Sequence, residues 1–214
     1  NDMKQILCFG DSNTWGYDPT NGGRYPYDVR WTGRLQQMLP DCRVLECGHK
    51  GRTTVFHDDL EPGRVGYDIL PIELNMHEPL DLLVIMLGTN DCKRRLGAGA
   101  DEIAKGLEML IRLTQSPLIW GGKSVPKILA VAPIPMDAAH ISGSDMESMF
   151  DAASAARSAR LAQSYRAVCE RYGVAFWDAS EAVPHVTSID GVHLSPPDHA
   201  AFAQAIAPQI EALL

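Results

Sequence analysis

The sequence predicts an α/β fold in which helices flank a central parallel sheet of five strands. Two observations carry this. Short aliphatic and β-branched runs recur along the chain, and longer segments of helical period separate them, which is the alternation of a parallel sheet with crossover helices. The 214 residues are 45% apolar and 21% charged, the balance of a globular chain long enough to bury a sizeable core.

Five runs read as strands: Gln5–Gly10, Arg43–Gly48, Leu82–Leu87, Lys127–Ala132 and Val174–Trp177. Helices are expected near Val29–Leu39, Gly66–Met76, Asp101–Thr114 and Met146–Tyr172, and from Pro197 to Leu214. Trp31, Leu35 and Met38 fall at helical spacing and read as core packing. Pro196-Pro197-Asp198 is a helix entry, because proline is tolerated in a first turn whose N–H groups have no partner in the helix. No repeat or linker divides the chain, so residues 1–214 are expected to form one domain. Three loops, Tyr17–Tyr27, Cys92–Ala100 and Pro133–Asp145, leave the carboxyl ends of strands and are candidate pocket walls.

The formal charge of -8, with no clustered basic stripe, excludes nucleic acid as an expected partner. After Asn1-Asp2-Met3-Lys4 comes an apolar run of only about six residues, too short for a signal core. Asn1 and Asp2 read as a remnant foreign to the natural chain, and a cytoplasmic location with no membrane partner is expected. Five cysteines without a Cys-x-x-Cys spacing read as reduced, buried thiols and not as a disulfide framework or zinc site. No metal and no cofactor is expected.

The chemistry-bearing residues sit beyond strand ends. The first strand runs into Gly10-Asp11-Ser12-Asn13-Thr14-Trp15-Gly16, which places a serine at the mouth of the sheet, although Asp-Ser is equally a helix-capping dipeptide. A serine hydroxyl is a poor nucleophile unless an oriented base takes its proton. Asp190-Gly191-Val192-His193 offers a carboxylate three residues before an imidazole, spaced so that Asp190 can accept from Nδ1 and leave Nε2 to face Ser12. The remaining histidines lack such a context; His49, His57, His77, His140 and His185 read as loop or surface residues, and His199 as a helix-face residue or, alternatively, a supporting neighbour of the site. Donors for an oxyanion come from Gly88-Thr89-Asn90-Asp91, where Asn90 is alternatively an Asx-turn residue, and from a glycine in Gly48-His49-Lys50-Gly51.

These four blocks, in this order, resemble those of the SGNH (GDSL-type) hydrolases. The stretches Ile6–Ser12, Thr14–Gly16, Asp28–Gly33, Arg52–Thr54 and Met86–Asp91 are similar to the bacterial arylesterase and acyltransferase branch, including perhydrolases. The resemblance implies a three-layer α/β/α, flavodoxin-like fold and hydrolysis of short acyl esters. It implies Ser12 as nucleophile, His193 as general base, Asp190 as its orienter, and an oxyanion hole of the Ser12 and Gly51 N–H groups with the Asn90 side chain. It also implies a homo-oligomer. Trp15, Tyr17, Ile134 and Met136 are candidates for a small acyl pocket. Two residues depart from the family: Asn13 replaces a leucine, and Glu46 stands where many relatives carry asparagine, which loosens the alignment behind Gly51.

Rival readings are weaker. A two-metal phosphoesterase needs more ligands than these blocks supply. A flavodoxin-like phosphate-binding module has no use for the Asp190/His193 pair and shows no Gly-x-Gly-x-x-Gly loop. An α/β-hydrolase requires a Gly-x-Ser-x-Gly elbow, which is absent.

Overall fold

The computed structural model describes residues 3–214; Asn1 and Asp2, whose sequence reads as a remnant, lie outside them. In chain order the elements are β1 (Lys4–Gly10), α1 (Ser12–Trp15), α2 (Trp31–Met38), β2 (Cys42–Gly48), α3 (Gly66–His77), β3 (Leu82–Met86), α4 (Ala100–Thr114), α5 (Pro117–Trp120), β4 (Lys127–Ala132), α6 (Ala138–Ile141), α7 (Ala152–Tyr172), β5 (Ala175–Asp178) and α8 (Pro196–Glu211). All strands are parallel, in the order β2-β1-β3-β4-β5. Strand order therefore reverses beside β1, and in open α/β sheets such a switch point opens a crevice at the carboxyl edge.

The period of two along the strands sorts the core into two faces. Leu7, Phe9, Leu83, Ile85 and Ala130 point toward Leu70 and Leu74 of α3, Leu107 and Ile111 of α4, and Leu161 and Tyr165 of α7. Ile6, Cys8, Val84, Leu129 and Val131 point the other way, toward Trp31 and Leu35 of α2 and Phe202 and Ile206 of α8. The result is the three-layer arrangement expected. Four of the five cysteines are buried and unlinked, and Cys42 at the start of β2 is half-buried. Among the described residues no helix is long and apolar enough to cross a membrane.

Three helix expectations change. Met38, expected in the core with Trp31 and Leu35, is exposed at the end of α2, while the other two are buried. The helix expected from Met146 begins only at Ala152, because Asp151 caps it: its carboxylate accepts from the Ser154 N–H at 2.8 Å while the Ser154 hydroxyl accepts from the Asp151 N–H at 3.2 Å. Residues 145–150 are thereby released into a separate turn. His199 is not a helix-face residue on the surface but fully buried, with its Nδ1 accepting from the Trp31 N–H at 3.1 Å and its edge against Tyr25.

Burial holds the His199 imidazole down at about 4, against an ordinary value of 6.5. The unfolded chain thus takes up a proton below pH 6.5 that the folded chain refuses until about pH 4. Stability contributed by neutral His199 is complete above pH 6.5 and falls through that window, by up to about 1.4 kcal/mol per pH unit. Urea unfolding of wild type and His199→Asn between pH 7.5 and 4 is expected to show the difference in stability shrinking as pH falls; a difference constant with pH contradicts the assignment.

Candidate active site

β1, β2 and β3 end side by side, and the turn beyond each end is set by short-range chemistry. Asp11 caps α1, its carboxylate accepting from the Asn13 N–H at 2.9 Å, so the capping reading is correct for Asp11 and leaves Ser12 as the first residue of the helix. Ser12 consequently sits in the first turn, whose N–H groups have no intrahelical acceptor. α1 lies directly against the end of β2 because Gly48 has no side chain: a Cβ there would fall 2.2 Å from the Trp15 nitrogen. Gly51 follows in a turn with φ of +79°, a conformation that favours glycine. The buried Arg52 pins the two strand ends, its Nη1 donating to the Gly10 and Cys47 carbonyls at 2.9 and 2.7 Å over the Phe9 ring.

The 190–193 block comes to the same edge from the far end of the chain. His193 Nε2 lies 3.1 Å from Ser12 Oγ, and its Nδ1 lies 2.6 Å from Asp190 Oδ2. The other carboxylate oxygen of Asp190 accepts from the Val192 and His193 N–H groups and from the Ser188 hydroxyl, each at 2.9 Å. Burial pushes the Asp190 carboxyl up, but the hydrogen bond and charge of His193 and the two backbone donors outweigh it and hold the group at about 2. Asp190 is therefore a carboxylate at neutral pH. With that acceptor on Nδ1, the neutral tautomer leaves Nε2 free to take a proton from Ser12. The face of the imidazole is covered by Tyr17, with ring centroids 4.3 Å apart.

Asn13, the residue that departs from the family pattern, joins the two halves. Its Nδ2 donates to the Val192 carbonyl at 3.3 Å, and its Oδ1 accepts from the Leu194 N–H at 3.0 Å, so one amide grips the chain on both sides of His193. Asn90 Nδ2 donates to the Arg52 carbonyl at 3.2 Å and, more distantly, approaches Asp11 Oδ2 at 3.4 Å. Burial raises the Asp11 and Asp91 carboxyls to about 6 each, the latter despite hydrogen bonds from the Thr54 N–H and hydroxyl.

Ser12, Gly51, Asn90, His193 and Tyr17 border one cleft of about 250 Å³, with Asp190 behind His193. Trp15, Ile134 and Met136 do not border it. Ile134 and Met136 are buried on opposite faces of the sheet, and Trp15 lies beneath the Lys50 ammonium and Arg24 guanidinium. The apolar wall is instead Met146, Met149, Phe150 and Val192. Of the three loops expected as walls, the first gives Tyr17 and the second gives Lys93. The third braces the 190–193 turn, through the Asp137 N–H on the Gly191 carbonyl at 2.8 Å. A further wall of Lys50, Glu61 and Arg64 comes from the segment after β2, where Pro62-Gly63 is the turn signal that could have pointed to it. Among the described residues no group of three or more His, Cys, Asp or Glu is placed to hold a metal ion.

The profile of the GDSL-like lipase/acylhydrolase family matches residues 8–201. The chain belongs to that family. Among solved structures, Est24, a carbohydrate acetylesterase from Sinorhizobium meliloti, is 34% identical with a TM-score of 0.92, over 99% of this chain and 100% of that one. The native aryl esterase of M. smegmatis is 35% identical with a TM-score of 0.90, again over 99% and 100%. A second carbohydrate acetylesterase family member from S. meliloti is 36% identical with a TM-score of 0.88, over 99% of both chains. No curated protein sequence gives a significant match. This acylhydrolase is a carboxylic ester hydrolase of the α/β fold shared with those neighbours.

Its second departure from the family pattern, Glu46, has a structural reason. The carboxylate accepts from Arg30 Nε and Nη2, each at 2.9 Å, and from the Thr32 hydroxyl, fixing the start of α2 against β2. Gly51 nevertheless reaches the cleft. In this acylhydrolase Asn13→Leu removes both grips on the loop that carries His193 and leaves buried backbone groups unpaired. Steady-state kinetics on p-nitrophenyl acetate should show kcat down by about 10- to 100-fold with KM changed little, since misplacing a reacting group by about 1 Å is that costly. An unchanged kcat would show that Asn13 positions nothing.

Proposed function

We propose that this chain is a serine esterase that hydrolyses short-chain, acetyl-type esters of aryl or carbohydrate alcohols through an acyl-enzyme. The observation that carries the reading is the unbroken relay from Ser12 Oγ through His193 to a fourfold-held Asp190 carboxylate. Ser12 Oγ attacks the ester carbonyl as His193 Nε2 takes its proton. Charge developing on the carbonyl oxygen is met by the Ser12 and Gly51 N–H groups and by Asn90 Nδ2, whose long approach to Asp11 is the one a substrate oxygen would replace. His193 then returns the proton to the departing alcohol, and water completes the cycle by the same route in reverse. An alcohol or peroxide in place of that water gives a new ester or a peracid, so acyl transfer and perhydrolysis are proposed as side activities. A homo-oligomer is part of the same proposal, supported by the exposed Ile72 and Met76 of α3 and Leu118 of α5.

Ser12→Ala should lower kcat/KM on p-nitrophenyl acetate by about 10⁴-fold or more and abolish labelling by a fluorophosphonate. Retained activity overturns the mechanism. The size of the cleft, lined by Phe150, Met149 and Tyr17, favours small acyl groups. Across p-nitrophenyl esters from acetyl to decanoyl, kcat/KM should peak at four carbons or fewer; a maximum at octanoyl or beyond overturns the preference for short chains.

A further inference from the structure

Part of the cleft lining is charged, through Lys50, Glu61, Arg64 and Lys93, and the charges there and just behind it divide into two groups. Lys93, 1% exposed, donates to Asp58 at 2.8 Å and to Glu61. Arg95 donates to both oxygens of Asp58 at 2.8 and 2.6 Å and to Glu61 at 3.3 Å. Two cations thus meet two carboxylates, and the quartet is neutral as a unit. Arg95 and Lys93 hold the Asp58 carboxyl far below the usual carboxylate range, so it stays ionised within that unit.

Lys50 and Arg64 are left over. Among the described residues neither has a carboxylate in ion-pair contact, in a chain whose net charge is -8. Each is nonetheless held in place. The Lys50 ammonium lies 4.7 Å from the centroid of the Trp15 ring, and Arg64 Nη1 donates to His49 Nε2, an uncharged acceptor. Arg64 lies beside Gly51, its Nε 3.2 Å from where a Gly51 Cβ would stand and Glu61 Oε2, already engaged by Lys93 and Arg95, 3.3 Å from the same point; the Arg64 Nε is buried without a hydrogen-bond acceptor. A guanidinium whose planar donors lack an anion, positioned beside a site for small esters, matches a carboxylate better than it matches a neutral group.

We infer that Lys50 and Arg64 form an anion subsite, and that the preferred ester of this enzyme carries a carboxylate which reaches past Gly51 to them. The inference rests on the esterase function proposed for the Ser12 site and deepens it, adding a charge to a substrate otherwise defined by its small size. The carboxylate can belong to either of two parts of the ester, the acyl group or the alcohol. Either one gains from the same two cations.

The test compares kcat/KM, in low-salt buffer, within two pairs of esters that differ only in that charge. p-Nitrophenyl hemisuccinate against its methyl ester places the carboxylate on the acyl side; 4-acetoxybenzoate against methyl 4-acetoxybenzoate places it on the alcohol side. One pair should show the anion preferred by about tenfold or more, the scale of a charge-assisted hydrogen bond. The preference should shrink in about 0.5 M salt through screening. The anion-to-neutral ratio should fall toward one in Arg64→Gln and be partly kept in Arg64→Lys; Lys50→Gln should lower it as well. Neutral esters preferred in both pairs, or a ratio that Arg64→Gln leaves intact, overturns the subsite. Hydrolysis of the neutral esters that is lost in Ser12→Ala keeps the esterase reading standing in that event, whereas absence of all ester hydrolysis fells both.

Discussion

Everything at this site depends on holding together two residues 181 positions apart, Ser12 and His193, across a single 3.1 Å contact. Neither residue does this for itself. Ser12 is placed by the cap of a one-turn helix wedged against β2 at Gly48, and His193 by a carboxylate that binds its ring and its own backbone N–H. The Asn13 amide then makes the two placements one, because it belongs to the serine's helix and bonds the chain before and after the histidine. Closing so long a loop costs entropy that a lone serine–histidine hydrogen bond would not recover, so the contact is a product of the rest of the fold packing around the sheet.

The legible part of the sequence is the local part. Four of the five strands are closed by Gly or Pro, and the central β1, β3 and β4 are recognisable because a strand buried on both faces needs no partner to look apolar, whereas the edge strands β2 and β5 are only partly buried and are marked by their β-branched and aromatic residues and spacing. The Asp190–His193 pairing is legible for a related reason: the turn satisfies itself within four residues, so its spacing alone carries its geometry, whereas Ser12 stands out only beside that pair and the other family blocks. The walls of the cleft were not legible. Trp15, Ile134 and Met136 come after strand ends in sequence, yet which side of the sheet a side chain takes after the strand stops is decided by tertiary packing. Helical period ran unbroken through Met146–Tyr172, and only the reciprocal bonds between Asp151 and Ser154 show that the helix starts later and that Met146, Met149 and Phe150 belong to the cleft.

The charged wall shows a second limit. Lys93 and Asp58 are 35 positions apart and almost fully enclosed, and nothing in either neighbourhood of the sequence announces the pair. Burying such charges is tolerable only when each finds its counter-charge, and removing one member of such a pair typically costs about 3–5 kcal/mol. The quartet therefore acts as rigid scaffolding that sets the 58–64 segment beside Gly51, while His49, read from sequence as a loop residue, holds Arg64 at the edge of the same cleft.

The turn at 145–150 has a separate consequence. It contributes Met146, Met149 and Phe150 to the cleft but shares no hydrogen bond with Ser12, His193 or Asn90; its tie to the 190–193 loop passes through the Ser144 hydroxyl and the Asp190 carbonyl at 3.4 Å. Two of its three cleft residues are methionines, unbranched and polarisable, able to repack around acyl groups of different shape without moving a strand. On the proposed reading, the turn that would contact the acyl group is thus a different segment from those carrying Ser12 and His193, joined to them by few hydrogen bonds. Drift or selection in six residues can retune which esters are accepted while the relay stays untouched, so a scaffold of this kind can diversify its diet one short turn at a time.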